Sequence, residues 1–253
     1  MKISIITITY NSAETIEDTI KSVQRQDYQD IEHIIIDGKS TDNTLDIVSK
    51  YKAGISKIIS EPDNGLYDAL NKGIKNASGD VVGILHSDDI FAYDSALSEI
   101  AALFKNDSST EAIYGDLDFV DRFDTNKVVR KWKSHAYHDG DFKKGWMPPH
   151  PTFYVKNNVY DKFGVFNTDF KLSADYELML RFIHKHKIKI DYLPNVIIKM
   201  RMGGVSNTNI SNKLKANKED RNAWKVNGLN MPWYTNFRKP LSKVAQYFQK
   251  EKL

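Results

Sequence analysis

Two short acidic segments, His86-Ser87-Asp88-Asp89 and Ser173-Ala174-Asp175-Tyr176-Glu177, hold the residue types from which this chain could build a reaction centre. Asp88 and Asp89 follow the apolar run Val81 to Leu85, where a buried parallel strand would end. Open α/β sheets take their ligands at that edge. Adjacent carboxylates repel unless something positive lies beside them, and a hard divalent cation with oxygen ligands and bound phosphate supplies that charge. The alternative is a helix N-cap or turn pair ahead of Ile90. Asp175 falls in the first turn of a helix predicted from Ala174 to about His186, with Leu178, Met179, Phe182 and Ile183 on its apolar face. The helix dipole favours the ionised carboxylate there, the form that accepts a proton. One acidic segment would thus serve a metal-bound diphosphate and the other a base.

The elements that must position them are readable. Ile3 to Thr9 is apolar and β-branched, and Asn11-Ser12-Ala13-Glu14 opens a helix with Ile16, Ile20 and Val23 on one face. The unit repeats: His33 to Ile36 is a strand, and a helix opening at Thr41-Asp42-Asn43-Thr44 carries Leu45 and Val48. Ile55 to Ser60 is a third strand. After the loop Glu61-Pro62-Asp63-Asn64-Gly65 comes a helix expected to turn Leu66, Ala69, Leu70, Gly73 and Ile74 inward, then the strand at Val81. This alternation predicts an α/β fold with a Rossmann-like, mostly parallel sheet flanked by helices. No Gly-x-Gly-x-x-Gly turn or Gly-Lys-Ser loop follows the first strand, which argues against dinucleotide dehydrogenases and P-loop enzymes. Beyond a helix around Leu97, Ile100 and Phe104 the pattern shifts to strands at Ala112 to Val120, Lys127 to Lys133 and Thr152 to Val155.

Composition narrows the classes further. With 253 residues and 41% hydrophobic content, the chain fits one large domain or a domain plus an appendage. It has no cysteine, so any metal must use oxygen or imidazole ligands. Its longest apolar runs are strand-sized, too short for a bilayer. The Ser and Thr interleaved through Lys2 to Thr9 speak against a signal sequence, and the expectation is a cytoplasmic protein. A formal net charge of +3 is too small for a general nucleic-acid binder. Between Arg238 and Leu253 five Lys or Arg stand against one Glu, with Leu241, Val244 and Phe248 at helical spacing. Such a helix can lie on an anionic membrane surface, giving peripheral contact, or pack on the domain with a solvated basic face.

Five segments occur in order: Ile6 to Asn11, Ile36 to Thr44, Glu61 to Ile74, His86 to Asp89 and Ser173 to Glu177. Together they resemble a family-2-type inverting glycosyltransferase of the GT-A fold, of the bacterial surface-polysaccharide type, with the likeness running from Lys2 to about Ser206. The resemblance implies residues 1–206 as the catalytic domain, with 1–110 as the nucleotide-sugar half, 111–206 as the acceptor half, and 207–253 as a basic helical extension. It implies that Asp37 hydrogen-bonds the nucleotide base and that Thr9, Tyr10 and Asn11 line the same pocket. Asp68 and Lys72 would face the nucleotide, although four residues apart on a helix they also suit an ordinary ion pair. Asp89 would hold Mn²⁺ or Mg²⁺, Asp88 would lie near ribose or sugar, and Asp175 would be the catalytic base. Ser87 and Ala174 stand where many relatives carry acids, and Glu177 is expected to make a structural pair.

The implied chemistry is in-line transfer of a sugar from a nucleotide donor, expected to be UDP-linked, to a hydroxyl of a glycan or lipid-linked glycan. The metal would neutralise the departing diphosphate while Asp175 takes the acceptor proton. His150, the Gly203-Gly204 turn and Trp146, Trp224 and Trp233 are further candidates for metal, phosphate or sugar contacts, each with an ordinary packing or turn role as the alternative. Two competing readings are a nucleotidyltransferase, whose phosphate loop is missing here, and an inactive nucleotide-sugar-binding module. Processive synthases need transmembrane helices and a Gln-x-x-Arg-Trp element that the sequence lacks.

Overall fold

A computed structural model describes residues 1–203 and 210–235. Gly204 to Ser206 and the basic segment from Arg238 lie outside the described residues. Strands β1 (Ile3–Thr9), β2 (Ile31–Asp37), β3 (Lys57–Ser60) and β4 (Val81–Ile84) alternate with helices α1 (Ile16–Gln24), α2 (Thr44–Lys50) and α3 (Leu66–Asn76). β1 pairs in parallel with β2 and β4, and β2 with β3. The chain therefore runs outward from β1 to β3 and returns to the other side of β1. That reversal leaves a crevice at the carboxyl ends of β1 and β4, where such sheets bind ligands.

The second half joins the same sheet. It contributes β5 (Asp89–Phe91), β6 (Ala112–Val120), β7 (Val128–Trp132), β8 (Tyr154–Lys156) and β9 (Ile190–Arg201), with helices α4 (Ala96–Asn106), α5 (Asn157–Phe163), α6 (Ala174–Met179) and α7 (Ile210–Val226). The sheet order is β3-β2-β1-β4-β8-β6-β9-β5, with β7 on β6. β8 runs antiparallel to both β4 and β6 and so joins the two halves. α6 continues through a π-helical stretch, Leu180–Lys185, as far as the expected end near His186.

Alternation along the strands assigns side chains to the two faces of the sheet. Ile6, Ile8, Ile34 and Ile36 pack with α3 and with Tyr176, Phe182 and Trp224 on one face. Ile3 and Ile5 meet Leu97, Ile100 and Phe104 on the other, where Ile35 joins Ile16, Ile20 and Val48. α3 lies so close to β1 that a Cβ on Gly73 would stand 2.3 Å from Ile6 Cγ2. Leu66 is a correction to the sequence reading: at the start of α3 it is 46% exposed instead of facing inward, because that turn borders the cleft. The sequence reading also lacked β5, α5 and β9.

Candidate active site

The crevice is a cleft of about 900 Å³. From the end of β1 it receives Thr9, Tyr10, Asn11 and Ser12, and from the turn after β4 it receives His86, Ser87 and Asp88. Ser12 Oγ and Ser87 Oγ are 2.9 Å apart, linking the two strand ends. Asn11 adopts φ +49° and accepts from the Thr41 N–H at 2.8 Å, fixing the neighbouring turn. Tyr10 leaves a 62% exposed ring on the rim, beside Gly38 and Asp63.

The two adjacent carboxylates part company. Asp88 lies in the turn and lines the cleft, whereas Asp89 enters β5 opposite Met200, is fully buried and does not line it. Burial pushes the Asp88 carboxyl above its usual range, against the pull of the Arg122 and Arg201 charges. Burial, reinforced by the charge of Asp88, raises Asp89 much further. Neither oxygen of Asp89 has a hydrogen-bond partner among the described residues. Arg201 secures the backbone here, donating to the Asp88 carbonyl at 3.1 Å and the Arg122 carbonyl at 3.0 Å. Arg122 reaches the cleft from the end of β6 and pairs with Glu14 at 2.9 Å. Two acids in a row, with no described cation in ion-pair contact with either, suit a hard divalent ion with oxygen ligands. The donor set thus fits Mn²⁺ or Mg²⁺, with Asp88 as the residue that presents itself to the cleft.

Another part of the lining comes from α6. Asp175 opens into the cleft with its side chain 22% exposed, and two neighbours hold its carboxylate. Tyr67, from the first turn of α3, donates its hydroxyl at 3.2 Å, and His150 Nδ1 lies 3.3 Å away. His150 also stands edge-on to His86, whose rings are 5.9 Å apart. Burial, with a smaller contribution from His150, depresses His86 to a pKa of about 3, so it is neutral at physiological pH. Glu177 turns the other way, into a buried pair with Arg181 at 2.9 Å. The position of α6 is set partly by α7, whose Glu219 accepts from the backbone N–H groups of Lys171, Leu172 and Ser173 at 3.1, 2.8 and 2.9 Å.

Carboxylates from both halves of the chain thus line one crevice at a topological switch point, and the chain resembles known proteins along this whole region. The profile of glycosyl transferase family 2 matches residues 4–176, from β1 through Asp175. The chain belongs to glycosyl transferase family 2. An uncharacterized glycosyltransferase of Mycobacterium tuberculosis (strain ATCC 25618 / H37Rv) is 32% identical over 181 residues, covering 71% of this chain and 68% of the relative. A PGL/p-HBAD biosynthesis glycosyltransferase of Mycobacterium bovis (strain BCG / Pasteur 1173P2) is 26% identical over 216 residues, covering 81% and 79%. Among solved structures, residues 1–349 of S. aureus TarS in complex with UDP-GlcNAc align with a TM-score of 0.71 at 18% identity, over 100% of this chain and 74% of that one. A mannosyltransferase from Pyrobaculum calidifontis in complex with GDP-Man and Mn²⁺ gives 0.65 at 18%, over 98% and 70%. The mixed sheet is accordingly the GT-A fold.

Within this family-2 domain the structure gathers Thr9, Tyr10, Asn11, Asp88 and Asp175 at one cleft and leaves other candidates outside it. Asp37 is fully buried, and its carboxylate is filled by the Ser40 N–H and hydroxyl and by Ser60 Oγ at 2.6 Å. It braces the Gly38 to Ser40 turn and does not border the cleft. Lys72 bonds Glu61 at 2.9 Å and the Pro62 carbonyl at 2.7 Å, while Asp68 accepts from the Asn64 N–H at 3.0 Å. Both clip the 61–65 loop to α3 and lie outside the cleft lining. Trp224 is buried, with Nε1 donating to Tyr176 at 2.8 Å, and Trp146 packs among Tyr114, Tyr137 and Phe142. His135, His138 and Asp141 cluster elsewhere, but Lys144 already neutralises Asp141 at 3.1 Å. The sequence reading missed Tyr67, Arg122 and Lys171 as cleft residues. Tyr67 belongs to the quoted Glu61 to Ile74 motif and was the most accessible of the three.

Proposed function

We propose that this family-2 glycosyltransferase is a metal-dependent, inverting enzyme. It would move a sugar from a nucleotide-sugar donor, expected to be UDP-linked, to a hydroxyl of a glycan or lipid-linked glycan in surface-polysaccharide synthesis on the cytoplasmic side. The observation that carries this reading is that Asp88 and Asp175 line one cleft. In this reading residues 1–110 form the donor half and 111–206 the acceptor half.

The base of the nucleotide stacks on the exposed ring of Tyr10, beside Gly38 and Asp63. Asp88 would hold Mn²⁺ or Mg²⁺ at the diphosphate, with Asp89 behind it; this exchanges the roles expected of the two residues. The cation supplies neutralisation of the departing diphosphate. Arg122 adds positive charge on the same side. Asp175 takes the proton from the acceptor hydroxyl, while the Tyr67 hydroxyl and His150 orient its two oxygens and neutral His86 adds no competing charge. Attack from the Asp175 side, opposite the leaving diphosphate, inverts the anomeric centre without a covalent enzyme intermediate. Holding both substrates in line lowers the barrier by ~7–11 kcal/mol.

Calorimetric titration with UDP, GDP and their sugars, in Mn²⁺ and then in EDTA, tests the donor half. Metal-dependent binding of UDP is expected. Tight binding of nucleoside triphosphates with no preference for diphosphates would favour a nucleotidyltransferase instead.

A further inference from the structure

A second depression lies between α7 and the segment leading into α6, with a volume of about 760 Å³. Its walls carry Lys171, Lys215, Lys218, Arg221 and Lys225 against one carboxylate, Glu219. α7 turns Ala223 and Trp224 into the core and leaves Lys215, Lys218 and Lys225 exposed along its outer side. None of these three lysines forms an ion pair with another described residue. Glu219 is directed at the backbone N–H groups of residues 171–173 instead. A concave surface lined by charge of one sign concentrates counter-ions of the other.

The depression shares an edge with the active-site cleft. Lys171 and Leu172 border both, and Asp175 follows them by one turn of chain. Lys171 is held at this junction by donating to the Thr168 carbonyl at 3.0 Å. A ligand seated along α7 that passes this shared edge reaches the part of the cleft that Asp175 lines.

We propose that this groove is an acceptor subsite and that the acceptor carries phosphate, as a phosphodiester or diphosphate next to the sugar that is extended. The inference rests on the assignment of Asp175 as the base and names the acceptor class for that reaction. Lysines bind phosphate as point charges without demanding one geometry, which suits a chain that must slide its end toward the base. Phosphate on the acceptor and phosphate in lipid headgroups share this chemistry, and the structure favours the acceptor because the groove shares its Lys171–Leu172 edge with the cleft.

The test uses the full chain, tripolyphosphate as a soluble probe in EDTA, and phosphatidylglycerol vesicles as a lipid probe. Replacing two exposed positive charges, Lys215→Ala with Lys218→Ala, should weaken tripolyphosphate binding by about tenfold at low salt, and less as salt rises. Lys225→Gln, two turns on, should give a smaller loss in the same direction and guards against a folding defect in the double variant. Metal-dependent UDP binding should be unchanged in both. Equal tripolyphosphate affinity in the native and substituted proteins would overturn the proposal. So would variant-sensitive binding to vesicles with none to tripolyphosphate, which would make the groove a membrane contact. Failure of UDP to bind while tripolyphosphate binding follows the lysines would remove the donor assignment and leave the groove standing.

Discussion

Replacing Asp175 by Asn separates proton acceptance from every other property of the site. The amide has the size of the carboxylate, and its oxygen can still accept from the Tyr67 hydroxyl that now lies 3.2 Å from Asp175. Its NH2 group stays within reach of His150, whose Nδ1 stands 3.3 Å from the other oxygen. With both contacts retained on a partly exposed side chain, stability should change by less than about 1 kcal/mol. What disappears is the carboxylate that would accept the acceptor's proton. Removing a positioned general base costs roughly 10²–10⁴ in rate. The expected loss is therefore about a thousandfold, or about 4 kcal/mol of transition-state stabilisation. The assay is release of nucleoside diphosphate from a nucleotide sugar in the presence of acceptor, paired with calorimetry of UDP and Mn²⁺. Unchanged UDP affinity with a collapsed turnover is the expected pair of results. Turnover within threefold of the native enzyme would refute the assignment of Asp175 as base.

Three further outcomes are expected. Asp88→Asn should abolish the metal dependence of UDP binding while Asp89→Asn retains it; the reverse pattern, read by calorimetry with and without EDTA, would restore the original division of roles. Burial holds His33 at a pKa of about 4, below its ordinary 6.5, so the unfolded chain takes up the proton first as pH falls. Stability should then decline from about pH 6.5 and level off near pH 4, with about 3 kcal/mol of the loss due to this residue, and His33→Leu should flatten that part of a urea-midpoint profile. Gly73→Ala should destabilise the fold by about 1–3 kcal/mol in denaturant, since its Cβ would fall 2.3 Å from Ile6, and an unchanged midpoint would show that α3 can lift from the sheet at no cost.

The first four strands and three helices were legible because each repeats a buried β-branched run, a turn rich in Gly, Pro, Asn or Asp, and a helical apolar stripe. β9 was not, because Pro194 and Asn195 interrupt it and read as a breaker. The structure absorbs them in a register shift against β6, where Gly115 faces Leu193 and Asp116 faces Val196. Proline is tolerated in a sheet at such irregularities. β5, at three residues, is too short to show a period. At the site, the motif located the acidic pair but could not say which carboxylate projects, since that depends on where the turn ends and β5 begins. The setting of Asp37 was hidden for a related reason: its partners Ser40 and Ser60 come from a local turn and a neighbouring strand, and only the fold brings them to its carboxylate. The contact of His150 with Asp175 joins a proline-flanked loop to a distant helix, and spacing carries no trace of it.

The clasp of Glu219 on residues 171–173 has an evolutionary consequence. It grips main-chain amides, which every residue except proline offers in the same form, so it is blind to the side chains it holds. Lys171 and Leu172 can therefore be exchanged over generations, altering what is welcomed at the mouth of the cleft, while Asp175 keeps its station. On the proposed roles of Asp175 and of the groove edge, descendants of this fold can diversify in acceptor preference without first having to rebuild the group that removes the proton.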